Sequence, residues 1–204
     1  MLKSLLNSAT HFHLNLALAM FIAGVLLLSL DQSLTPIWQF ERSSFYHNQW
    51  QSISHGIVFQ SYQQLSINVL ALLLIAYFFS NAFKSVWWLI VLIASIMSSA
   101  YGVFFYHPDT EILLGLTAGL HGLFIYAVLR TRRSLAWLGL LILKLFIDLN
   151  YASLPDFLLG NFLIVAFQPM NFAANIWGIA GGFFLFGIAR TLTLITVIIE
   201  LNKD

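Results

Sequence analysis

An all-α membrane protein with six spans is the fold class this sequence predicts, and three observations predict it. Only 8% of its 204 residues are charged, against about 25% in a soluble domain. Hydrophobic residues make up 60% of the chain, and the mean hydropathy is +0.86. Apolar runs approaching the roughly 20 residues needed to cross the hydrocarbon core then recur along its length. The chain has no cysteine, so disulfides, thiolate metal sites and a cysteine nucleophile are excluded. Its net charge of +1, without a basic stripe carrying interleaved aromatics, gives no footprint for nucleic acid.

The elements follow in order. Leu14–Leu30 is the first span, closed by Asp31-Gln32; it is too long for a signal peptide and lacks a small-x-small cleavage site. A polar, aromatic-rich stretch from Gln32 to about Tyr62 is too long for a tight turn. Gln63–Ser80, Val86–Tyr106, Ile112–Leu129 and Leu135–Leu149 give four more spans, and the sixth runs from Ala173 to Ile188, or to Ile199 in its longer reading. Phe157–Phe167 is apolar but short and ends at Gln168-Pro169, so it reads as a loop or re-entrant segment. With no internal repeat or low-complexity linker, residues 1–204 read as one domain. Charge placement sets the orientation. With both termini in the cytoplasm, that side carries Lys3, Lys84, Arg130, Arg132, Arg133, Arg190 and Lys203. The other side carries Arg42 against Asp31, Glu41, Asp109, Glu111 and Asp156.

Polar residues inside apolar helices mark candidate function, because they are costly there. Two stretches stand out: Gly115-Leu-Thr-Ala-Gly-Leu-His-Gly122 and Ala174-Asn-Ile-Trp-Gly178. Gly115, Gly119 and Gly122 are expected to face Ala174, Gly178 and Gly182 in a close helix contact, bringing Thr117 and Asn175 within reach. Gln64 and Asn68 share a helix face at i, i+4, and so do Thr117 and His121. Lys144 and Asp148 have the same spacing and read as an ion pair. His55 is expected near the mouth of a pocket and His107 at a helix end. His11 and His13 lack a third ligand, so no metal site is expected. Trp87, Trp88 and Trp137 read as interfacial anchors.

The first stretch resembles the serine motif of the rhomboid intramembrane proteases, in the rhombosortase branch, which reads Gly-x-Ser-Gly-x-x-His-Gly. The second is similar to the family segment that carries the catalytic histidine. Trp50-Gln-Ser-Ile-Ser54 and Gln64-Leu-Ser-Ile-Asn68 resemble the family's Trp-containing segment and its His-x-x-x-Asn pair. The resemblance covers about residues 49–187 and implies a six-helix rhomboid-like bundle. It puts Thr117 at the serine position, Asn175 at the histidine position and Gln64 at a second histidine position. Gln64, Asn68, Gly115 and Ala118 fall among the substrate-binding or oxyanion-binding positions.

Those identities decide the functional expectation. Rhomboid chemistry needs a hydroxyl nucleophile, a base and oxyanion donors, and asparagine offers no basic nitrogen. The resemblance therefore implies a pseudoprotease of the bacterial inner membrane with its pocket toward the periplasm. Such a protein holds Gly-Gly-containing C-terminal transmembrane tails of surface or secreted proteins, and an active rhombosortase is an expected partner. The alternative is an active endopeptidase with Thr117 as nucleophile and His121 or His55 as base; a third reading is a small transporter. Besides the tail, the bilayer is the expected partner. No cofactor is expected.

Overall fold

The computed structural model describes residues 18–26, 32–131, 134–150 and 172–201. Its principal elements are α1 (18–26), α2 (Thr35–Trp38), β1 (Phe40–Glu41), α3 (Gln51–Ser54), α4 (Tyr62–Phe78), α5 (Trp87–Tyr106), β2 (Ile112–Leu113), α6 (Thr117–Leu129), α7 (Ser134–Asn150) and α8 (Phe172–Leu201). Short 3-10 turns precede α2 and follow α3 and α4. The ends of the first predicted span and all of Phe157–Phe167 lie outside the described residues. Helices α5 and α8 are long and apolar enough to cross a membrane. A third span results if Gln51–Ile57 and Tyr62–Phe78, bent by 94°, are one. That bend turns α3 off the α4 axis, so we read α4 as the spanning part and α3 as belonging to the segment of residues 35–57 that precedes it.

Helix α6 is the hub. Of its thirteen residues, all but Thr117, Phe124 and Leu129 are buried, and it packs against α4, α5, α7 and α8. Lipid tails are as apolar as leucine, so association between such helices rests on close packing. Ala118 and Gly122 supply it on the α8 side. A Cβ at Gly178 would fall on the carbonyl oxygen of Ala118, and one at Gly182 on that of Gly122. Gly119 faces elsewhere, against Ile96 and Leu92 of α5, and Gly115 is not helical. The contact stripe is therefore Ala118/Gly122 on Gly178/Gly182, not the three glycines the spacing predicts.

The predicted fourth span also starts too early. Ile112 and Leu113 pair antiparallel with Glu41 and Phe40. Gly115 then turns the chain with φ +98°, a left-handed conformation that only glycine adopts without strain. The helix begins at Thr117. The turn is tied down by the Gly115 N–H, which donates to the His55 carbonyl at 2.7 Å.

Arg42 fixes the segment of residues 35–57 to the bundle. Its guanidinium donates to the carbonyls of Val103, Phe104, His107 and Thr110 at 2.6–3.0 Å and lies over the Phe104 ring. They lie at the end of α5, where carbonyls run out of helical partners and a cation complements the helix dipole. Trp88, an expected interfacial anchor, is instead core: it is 1% exposed, stacked on Phe83 and edge-on to Phe21.

Candidate functional site

A cavity of about 390 Å³ opens between α4, α6 and α7. Its floor is apolar and aromatic, with Phe78, Phe79, Phe124 and Trp137 packed on one another. Trp137, expected as an interfacial anchor, forms part of the cavity wall. The other end is polar and holds Gln64, Asn68, Thr117, His121 and Lys144. The sequence therefore placed Gln64, Asn68, Thr117 and His121 on residues that do share one space.

Local chemistry positions each of them. Ser61 caps α4, its hydroxyl accepting the Gln64 N–H at 3.2 Å. Gln64 reaches back in turn, its Oε1 accepting the Gln60 N–H at 2.8 Å. This is a variant of the Ser-x-x-Gln capping box, a signal present in the sequence. With Oε1 so engaged, Nε2 lies against Gly115, 2.7 Å from where a Cβ there would sit. Asn68 Nδ2 donates to the Gln64 carbonyl at 2.8 Å, which turns its Oδ1 toward Thr117. The Thr117 hydroxyl donates to that oxygen at 3.1 Å. His121 Nδ1 pairs with the Thr117 main-chain carbonyl at 2.8 Å. A carbonyl only accepts, so the proton sits on Nδ1 and Nε2 is the ring's acceptor in the neutral form.

Thr117 and Asn175 are not hydrogen-bonded to each other. Asn175, 1% exposed on α8, donates from Nδ2 to Asp148 Oδ2 at 3.4 Å, and the same carboxylate oxygen pairs with Lys144. The Lys144–Asp148 pair follows from the spacing. Its extension to Asn175 was not legible, because it joins residues on two helices. Ala118 contributes its carbonyl to the α8 contact, and Gly115 contributes the turn that aims the start of α6 into the cavity.

His55 does not stand at the cavity mouth. It is 1% exposed, with Nδ1 on the Gln51 carbonyl at 2.9 Å and Nε2 on Ser99 Oγ at 3.3 Å. Burial lowers its pKa to about 4, against a smaller opposing effect of the Gln51 bond. It is a neutral structural imidazole. His107 ends α5 and offers its carbonyl to Arg42. Among the described residues, no cluster of histidine and carboxylate ligands could hold a metal ion.

The arrangement is a short, buried central helix whose first residue presents a hydroxyl to a cavity, backed by an α6/α8 contact of backbone on backbone. No curated protein and no solved structure matches the chain. A family model does: the Rhomboid domain, over residues 46–191. That match spans well over half of the sequence, and the chain belongs to the rhomboid family of intramembrane proteins.

Proposed function

We propose that this protein is a rhombosortase-like pseudoprotease that holds the C-terminal transmembrane tail of another protein without cleaving it. One observation carries the reading: the Thr117 hydroxyl donates to the amide oxygen of Asn68, a group that cannot take up its proton. At position 175, where the family keeps its base, the side chain is an amide bonded to Asp148. General-base assistance is worth about 10²–10⁴-fold, and nucleophile and base fail as a unit when either is lost. Binding groups remain. Gln64 Nε2 faces the Gly115 turn, and the main-chain N–H of Ala118 lies where α6 begins, whereas that of Gly115 is taken by the His55 carbonyl.

In this reading the chain crosses a bacterial inner membrane six times with both termini in the cytoplasm, and the polar end of the cavity opens toward the periplasm. The tails are the Gly-Gly-containing, basic-ended segments of surface or secreted proteins, and an active rhombosortase is the partner that cuts what this protein presents. Crosslinking from Thr117 or Gln64, with a photoreactive residue introduced in native membranes, should capture such a tail. Capture of lipid alone would refute the proposal.

His121 supports a second reading, an active endopeptidase. Its ring lines the same cavity as Thr117 and keeps Nε2 as an acceptor. Cleavage of a tail-bearing reporter, lost in Thr117→Ala and in His121→Phe, would establish this reading and overturn the first. Installing Thr117→Ser, Asn175→His and Gln64→His together tests whether only the reacting groups were removed. Cleavage by the triple variant is the expected outcome.

A further inference from the structure

The cavity between α4, α6 and α7 has two unlike ends, and α7 contributes to both. Trp137 stands in the aromatic floor and Lys144 at the polar end. They are two turns apart on the helix, about 10 Å. Among the described residues, Lys144 is the one lysine, arginine or carboxylate that lines the space. Its counter-ion is set behind it. Asp148 accepts from the Lys144 ammonium, but its side chain is 2% exposed against 28% for Lys144, and it does not line the cavity. The pair therefore presents its positive end to the cavity. Leu74, Phe78 and Leu140 line the same space and are 46%, 55% and 54% exposed, so it opens between α4 and α7 toward lipid.

A chain entering from the bilayer gains little from an apolar floor, because lipid tails are as apolar as leucine. Selection then falls to the head group. In a space of low dielectric an ammonium attracts an anion and repels a cation far more strongly than in water. Asp148, one turn further along α7, disfavours a head with two negative charges, which leaves a head with one. Size narrows the ligand as well. Small-molecule pockets measure about 300–1,000 Å³, and a cavity of about 390 Å³ suits one apolar chain rather than the two of a phospholipid. We propose that this cavity binds a single-chain amphiphile with a carboxylate head, a free fatty acid, the head on Lys144 and the chain on Trp137. Such a ligand follows from the cavity alone and does not require that a tail binds.

The test uses the full-length protein in nanodiscs of phosphatidylcholine at about pH 8.5, where a carboxylic acid is ionised and an amine protonated. Three probes carry the same chain, brominated at mid-length: stearic acid, its methyl ester and stearylamine. Bromine quenches indole fluorescence on contact, and the difference between the unmodified protein and Trp137→Phe isolates the signal of Trp137. Expressed as mole fraction in the bilayer, half-saturation by the acid should come about tenfold below that of the ester. The amine should bind more weakly than the ester. Replacing the ion pair by apolar residues, Lys144→Met with Asp148→Leu, should make acid and ester alike. Such replacements are often tolerated where breaking one partner is not. The three probes separate the outcomes on the unmodified protein, so the measurement stands even if that variant fails to fold. Equal saturation by all three would overturn the inference and leave a cavity filled by bilayer chains without regard to head group. A Trp137 signal untouched by any probe would overturn it too, and so would an acid preference that survives in the double variant.

Discussion

Helix α6 has two unlike sides. Toward α8 it meets backbone with backbone, and Gly178 and Gly182 leave no room for a methyl group. Toward α4 and α7 it borders a cavity of about 390 Å³ that reaches from Gln64 to Phe79. The difference shows how a helix in lipid can be both anchored and accessible. Its position is set mainly by its packing on α5 and α8, so the side toward α4 and α7 need not be packed as closely.

The largest effect should come from breaking the packed side. Gly178→Val or Gly182→Val drives side-chain carbons into carbonyl oxygens that are themselves helical backbone. Overpacking costs about 1–3 kcal/mol where side chains can adjust, and here none stands in the way to move. Loss of folded protein, read as disappearance of the monodisperse peak in detergent gel filtration, is the expected outcome. Leu74→Ala is the counterpart on the open side. Leu74 lines the cavity and is 46% exposed, so its truncation should lower thermal stability by no more than about 1 kcal/mol. Equal damage from both would refute the contrast.

Next in size is Arg42. A charge-assisted hydrogen bond contributes about 1.5–3 kcal/mol, and Arg42 makes four. Arg42→Gln should cost roughly 3 kcal/mol after water recovers part of the loss. The damage should be local, with faster hydrogen exchange in residues 40–57 and little change in α6 or α8. Arg42→Lys should not rescue, because a point charge cannot reach carbonyls spread around a helix end.

Gly115 links the two sides. Its positive φ starts α6 at the cavity, and its missing Cβ leaves room for Gln64 Nε2. Gly115→Ala should destabilise by about 1–2 kcal/mol from backbone strain alone, with a further loss where the new methyl displaces Gln64. Adding Gln64→Ala should recover the second part and leave the first, an interaction measurable by a double-mutant cycle. Additive losses would show that the two residues do not touch.

How much of this was legible in the sequence depended on the range of the interaction. Helix positions and the Lys144–Asp148 pair follow from local spacing. The i, i+4 pairs Gln64/Asn68 and Thr117/His121 also reach one space because each shares a helix face. What failed was non-local. Periodicity continued the fourth span back to Ile112, whereas a two-residue strand pairing with Phe40–Glu41 and the Gly115 turn delay it to Thr117. Counting glycines by residue type grouped Gly119 with Gly122, though Gly119 meets α5 and only Gly122 also reaches the backbone of α8. Asn175 was read for the base it lacks, and its bond to Asp148 required both helices to be in place.

The smallest effect concerns pH and separates the segment of residues 35–57 from the cavity. His55 is buried, its ring held by Gln51 and Ser99 and edge-on to Phe40, all uncharged. Its folded pKa of about 4 lies below the unfolded value of 6.5. Between those values the unfolded chain binds more protons, so stability rises with pH through that window. The contribution is complete above about pH 6.5 and falls by roughly 1 kcal/mol per unit as pH drops toward 4. Acidification from pH 7.5 to 5.5 should therefore lower the melting temperature in detergent by a few degrees. His55→Asn keeps a donor toward the Gln51 carbonyl but cannot titrate, so the part of the shift due to His55 should be absent in it. Because the His55 carbonyl also receives the Gly115 N–H, acid should loosen the turn that begins α6 before it disturbs the α6/α8 contact. Exchange at the Gly115 amide should then rise relative to the value expected for that pH, while the amides of Gly178 and Gly182 stay protected. If all three open together, the front and back of α6 are one cooperative unit and the contrast between them is only geometric.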